Sequence, residues 1–157
     1  MPDIILKPIG RVHNPIRRKK SEGWESVVSE IVLFSRYEEA LEGVEAYSHL
    51  LILFWISRTP SRSRGGRLRI HPKSRPDLPL VGIFATRTQY RPNPIGLTLV
   101  EVLGRRKNIL RVRGLDAIRG TPVLDIKPLS PAKEFPQRTR VPEWYHRLWK
   151  RKRERNK

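Results

Sequence analysis

The chain has 157 residues, with 33 Lys and Arg against 15 Asp and Glu, a formal net charge of +18, and no cysteine. That length favours one domain with its own core. The missing cysteines exclude disulfides, thiolate metal sites and a cysteine nucleophile, and they fit a reducing compartment. No apolar run is long enough to span a bilayer, and "MPDIILKPIG" lacks the basic-then-apolar order of a signal peptide, so a cytoplasmic protein with no membrane partner is expected. The basic excess clusters in "RRKK" (17–20), in "SRTPSRSRGGRLRIHPKSR" (57–75) and in the closing "RLWKRKRERNK". Such clusters suit a polyanionic partner, although a solvated surface produces the same pattern.

In chain order, "IILKPIGRVHNP" reads as an opening strand ended at Asn14-Pro15. "VVSEIVLF" (27–34) is β-branched and predicts a second strand. "RYEEALEGVEAY" has the composition of a short helix broken at Gly43. "LLILFWIS" (50–57) reads as a buried strand on its β-branched and aromatic content. A basic loop then runs to about Leu78, long enough to be expected either functional or mobile. "LVGIFAT", "IGLTLVEVL", "NILRVRGL" and "PVLDIKPL" predict four further strands. In "ILRVRG", Leu110 and Val112 alternate with Arg111 and Arg113, the pattern of a half-buried strand. No βαβ alternation is visible. The expected fold is mainly β: a single antiparallel β-barrel-like domain over residues 1–140 with short helical additions, followed by a basic helix and tail over 141–157. The helix starts near Pro142, sets Trp144 and Leu148 on one face, and frays beyond Lys150.

The segment "FATRTQYRPNPIG" (84–96) is the stiffest in the chain. Pro92 and Pro94 fix their own φ and push Arg91 and Asn93 into extended geometry, so no helix is expected there. A stiff frame suits side chains that must be held still, which raises Arg87 and Arg91 above ordinary surface arginines. In "VLDIKP", Asp125 and Lys127 are two apart and share a strand face. They are either a surface ion pair or a carboxylate and an ammonium set side by side in a pocket. No G-x-G-x-x-G, Walker loop or G-x-S-x-G elbow is present, and His13, His49, His71 and His146 show no metal-ligand spacing, so no metal is expected.

"GVEAYSHLLILFW", "GIFATRTQYRPNPIGLTLVEV" and "LDAIRGTPVLDIKP" resemble the TsaA-like, or TrmO, family over most of the chain, from about Pro8 to Pro131. The resemblance implies an S-adenosylmethionine-dependent tRNA methyltransferase on a non-Rossmann β-barrel, working as a homodimer. It implies methylation of N6 of N6-threonylcarbamoyladenosine beside the anticodon. By motif, Arg87 and Leu99 match cofactor-binding positions, as do Leu115, Asp116, Ala117 and Ile118. Ser57 and Arg58 fall where the family commonly has His-Gln. An arginine suits the donor's carboxylate, because it can pair with it in bidentate fashion. Asp125 is then the candidate base and Lys127 the candidate electrostatic stabiliser, while Arg91 or Lys127 would bind the substrate's threonyl carboxylate. Asn93 either contacts substrate or donor, or caps a turn.

The family's usual D-G-T-P reads "RGTP" here, with Arg119 in place of the acid, and D-I-K-P-Y reads "DIKPL", with Leu129 in place of the aromatic. These departures keep open a methyltransferase acting on a different acceptor. A non-catalytic RNA-binding module, built on the charge and the aromatic residues near it, is the other alternative.

Overall fold

The computed structural model describes residues 2–57 and 66–155, with side chains through residue 149. Two compact units are present, Met1–Arg58 with Pro94–Ser130, and Thr59–Asn93 with Pro131–Lys157.

The first unit is a closed six-stranded barrel in the order β1-β2-β7-β6-β3-β8. Its strands are β1 (Gly10–His13), β2 (Val28–Leu33), β3 (His49–Trp55), β6 (Ile95–Arg106), β7 (Ile109–Arg113) and β8 (Pro122–Pro128), and every neighbouring pair is antiparallel. This is the mainly β, barrel architecture expected from the sequence. Alternation builds its core: Val12, Ile31, Leu50, Ile52, Val100, Leu110, Val112 and Val123 point inward from the six strands and are almost fully buried. Arg111 and Arg113 point outward between them, as the pattern in "ILRVRG" predicts.

Two glycines permit close approach. A Cβ on Gly10 would lie under 3.0 Å from the Val32 carbonyl oxygen and Leu33 Cα, and a Cβ on Gly96 would lie under 3.0 Å from three atoms of the buried Phe54 ring. Gly96 pairs with Phe54 across β6 and β3, so the missing side chain leaves room for the ring. The "RYEEALEGVEAY" segment forms three short 3-10 turns, Ser35–Tyr37, Glu39–Leu41 and Val44–Ala46, rather than one helix. Gly43 takes φ +85° between the last two, which ends helical propagation there.

The second unit holds a two-stranded ribbon, β4 (Arg69–Ile70) and β5 (Val81–Gly82), with Arg69 opposite Gly82 and Ile70 opposite Val81. Of "LVGIFAT", only Val81 and Gly82 are strand; Ile83–Ala85 is a 3-10 turn. That turn ends well before the Arg91–Pro94 stretch, and no helix forms there, as its two prolines predict. Leu78 and Ile83 are buried, and His71 Nδ1 bonds the Leu78 carbonyl at 2.7 Å. Two helices complete the unit, α1 (Pro131–Glu134) and α2 (Glu143–Arg155). In α2, Trp144 and Leu148 are the less exposed pair, one turn apart, and the helix continues past Lys150 rather than fraying there. Lys73 lies 4.3 Å over the Trp149 ring. Among the described residues, no helix is long and apolar enough to cross a membrane.

Candidate functional site

The outer face of β6-β3-β8 is an apolar panel. Leu51 lies between Leu99 and Lys127, Leu53 between Leu97 and Asp125, and Trp55 beside Ile95. Leu97 is 46% exposed and Leu99 42%. Adjacent exposed leucines on a strand face are surface that a flat apolar group can cover.

The panel is edged by charge. Lys127 Nζ lies 2.8 Å from Asp125 Oδ2, and Asp125 Oδ1 also accepts the Ile126 N–H at 2.9 Å. Both side chains are substantially exposed, so the pair contributes little to stability. The hydrogen bond to Asp125, and then its charge, raise Lys127 above its ordinary value, so it stays an ammonium at neutral pH. Lys127 therefore supplies positive charge and cannot act as a neutral base. A β-bulge places the pair. The β3-β8 register shifts between Leu53 and Phe54, so that Leu124 is skipped; Val123 enters the core while Asp125 and Lys127 both face outward.

Leu115 to Ile118, expected as a turn, form an irregular segment after β7 in the same unit, and the turn itself follows at Arg119–Gly120. Leu115 is 0% exposed and Ala117 3%, so their side chains belong to the core and only their backbone can meet a ligand. Asp116 is exposed, and its Oδ1 accepts a hydrogen bond from Thr98 Oγ1. Asn14, buried just after β1, holds this segment in place. Its Nδ2 donates to the Ala117 carbonyl at 2.9 Å and to Ser29 Oγ at 2.9 Å, and its Oδ1 accepts the Ile16 N–H at 3.0 Å. Sequence reasoning took Asn14 only as a strand terminator; the available signal was an asparagine before a proline directly after a strand. Ser57 closes the described stretch after β3, and Arg58 lies outside the described residues.

In the second unit, Arg91 organises the stiff segment. Its Nη1 donates to the Thr86 carbonyl at 2.9 Å, to Ile83 at 3.4 Å and to Thr88 at 3.5 Å, while its guanidinium lies 5.4 Å over the Phe84 ring. Thr86 Oγ1 donates to the Ile83 carbonyl at 2.8 Å and accepts the Thr88 N–H at 3.3 Å. Arg87 sits exposed between the two threonines whose carbonyls Arg91 holds, so Arg91 positions Arg87. Asn93 is exposed, between its two prolines. Among the described residues, no cluster of three His, Asp or Glu side chains could hold a metal ion.

The tRNA-methyltransferase O N-terminal domain family matches residues 13–134. An S-adenosyl-L-methionine-binding protein of Archaeoglobus fulgidus is 40% identical over 132 residues, covering 82% of this chain and 91% of that protein. The tRNA (adenine(37)-N6)-methyltransferase of Escherichia coli is 37% identical over 145 residues, covering 85% of this chain but 61% of that enzyme. The crystal structure of TrmO from Pseudomonas aeruginosa superposes with a TM-score of 0.72 at 28% identity, covering 90% of this chain and 63% of the other. The chain thus spans most of the archaeal relative and about three fifths of the two longer proteins. With a family match across most of its length and the same barrel fold, the chain belongs to the TrmO family.

Proposed function

We propose that this protein is an S-adenosylmethionine-dependent tRNA methyltransferase acting on N6 of an adenine beside the anticodon, with N6-threonylcarbamoyladenosine as its acceptor. We propose further that it works in the cytoplasm as a homodimer, a reading that the family resemblance alone supports. The observation that carries the activity is the family match over residues 13–134, together with a near full-length relative named for binding S-adenosyl-L-methionine.

The residues present suit that donor chemically. When bound, it supplies an electrophilic methyl group on a sulfonium. Leu97 and Leu99 offer apolar surface for an adenine ring, and the backbone of Leu115 to Ile118 offers fixed donors and acceptors for its edge. Ser57 and Arg58 are assigned as further donor contacts. Arg87 pairs with a carboxylate from a turn that Arg91 has already ordered, so little conformational freedom remains to be lost on binding. Asp125 takes the proton that the acceptor nitrogen gives up, and the Lys127 ammonium steadies negative charge on the carbamoyl oxygen. Asn93 is assigned to the acceptor. Arg91 supports Arg87 with Nη1, and its remaining N–H groups are assigned to the acceptor's carboxylate.

The test is calorimetric titration with S-adenosylmethionine, followed by methyl incorporation into tRNA with and without the threonylcarbamoyl group. Saturable binding near one site per chain, with methylation only of the modified tRNA, is expected. Salt-sensitive RNA binding with no donor site would favour a non-catalytic RNA-binding module. Methylation of both tRNAs would remove the hypermodified acceptor.

A further inference from the structure

The barrel's other arc has the opposite character. β1, β2 and β7 are consecutive in the strand order, away from the leucine panel on β6, β3 and β8. Their outward positions include Arg11 and His13 on β1, Glu30 on β2, and Arg111 and Arg113 on β7, all exposed. One row crosses all three strands, with His13 opposite Glu30 and Glu30 opposite Arg111. Residues directly opposite across a sheet bring their Cβ atoms to about 5 Å. The turn before β8 adds Arg119. Its N–H donates to the Ile16 carbonyl at 2.8 Å and the Gly120 N–H to Val12 at 2.8 Å, while Arg11 Nη1 donates to the Gly120 carbonyl at 3.3 Å. The Arg119–Ile16 bond also lays this turn beside the start of the "RRKK" loop.

His13, Glu30, Arg111 and Arg119 line a shallow, open depression of about 400 Å³. Neither Arg111 nor Arg119 has an ion-pair partner among the described residues, whereas Arg113 is already paired with Glu101 at 2.8 Å. Guanidinium groups without an ion-pair partner at the two sides of one open depression give it a positive potential that a bound polyanion neutralises. The cations are spread over β1, β7 and a turn, in an open depression. That layout suits an extended run of phosphates better than one enclosed small anion, which favours a cradle of converging donors.

We propose that the β1-β2-β7 face, centred on Arg111 and Arg119, binds the sugar-phosphate backbone of structured RNA, apart from the residues assigned to methyl transfer. The polyanion follows from the charge on this face; its identity as RNA rests on the proposed function. These contacts position the RNA and carry no base readout. Glu30, the one acid in the row, weakens them.

The experiment is fluorescence anisotropy of a labelled tRNA transcript with the full chain, without methyl donor, over a salt series. Arg111→Glu/Arg119→Glu is compared with Arg36→Glu/Lys133→Glu, an equal charge change at exposed positions elsewhere. Losing two phosphate contacts is expected to lower the slope of log affinity against log salt by about 1.8 and to weaken low-salt binding at least about tenfold. Glu30→Gln is expected to tighten binding several-fold, a gain that structural damage does not produce. The proposal is overturned if the double reversal binds no more weakly than the control pair, if Glu30→Gln leaves binding unchanged, or if poly-glutamate of equal charge displaces the protein as well as unlabelled tRNA does. Should the Glu variant misfold by circular dichroism, Arg111→Ala/Arg119→Ala makes the same comparison with half the charge change. A parallel S-adenosylmethionine titration separates the two proposals. Loss of RNA binding with donor binding intact concerns this face, and absent donor binding in the wild type concerns the enzymatic reading alone.

Discussion

Replacing Gly96 by alanine tests why the stiff "RPNPIG" stretch ends on glycine. The added methyl would sit under 3.0 Å from three atoms of the Phe54 ring, and that ring is buried between β3 and β6. Either the ring leaves its rotamer or the strands part, and overpacking of this kind costs about 1–3 kcal/mol. The loss of glycine's freedom in the unfolded chain offsets about 0.4–1 kcal/mol. A net destabilisation of about 1–2 kcal/mol is expected, which for a chain of this size lowers Tm by about 2–8 °C in differential scanning calorimetry. Phe54→Leu removes the obstructing ring atoms. Gly96→Ala in that background should therefore cost at least about 1 kcal/mol less than in the parent, a coupling that a double-mutant cycle reads directly. A Gly96→Ala protein melting within about 1 °C of the parent, or two substitutions that simply add, would refute the steric account.

Two further outcomes concern the assigned chemistry. Arg91→Ala removes the guanidinium that holds the Thr86 and Thr88 carbonyls, so it should speed amide exchange across 86–90 and lower donor affinity several-fold; unchanged exchange would contradict the positioning role. Lys127 is raised above its ordinary value of about 10.5, so the ammonium side of its pair with Asp125 is fully charged below that pH and is lost only as pH rises through the higher folded value. The rate profile between pH 6 and 9 should therefore be the same shape in wild type and Lys127→Arg, and a basic limb in that window present only in the wild type would assign Lys127 a titration its environment opposes.

The barrel was legible because its strands carry the period-2 pattern that a closed sheet imposes. Arg111 and Arg113 against Leu110 and Val112 could be placed from sequence alone. Apolar content without a pairing partner was less informative. "LVGIFAT" looks like its neighbours, yet only two of its residues find a strand opposite them, and the chain turns at Ile83. "RYEEALEGVEAY" has helical composition, but Gly43 at φ +85° divides it into pieces too short for α-helical turns to persist. The candidate residues divide in a similar way. Strict alternation places Asp125 on Val123's face; only the bulge at Leu124, invisible in composition, turns the carboxylate outward while Val123 stays in the core. Arg91 was recognisable as unusual from its prolines, but its bonds to three carbonyls depend on how the preceding turn closes. Leu115 and Ala117 matched the family by position, and nothing in their identity told core side chains from ligand contacts.

The barrel closes between its first and last strands, where Gly10 pairs with Val123 and Arg11 with Pro122. During synthesis β1 leaves the ribosome long before β8 exists, and the intervening strands cannot complete the ring without it. Until then β1 keeps an open edge, the feature that makes nascent β chains prone to pairing with one another. Contacts so distant in sequence also slow the search for the native arrangement. The ring therefore cannot close until β8 has been made, and the protein's yield in the cell should depend on how well the open edges of β1 and β3 are protected until that strand arrives.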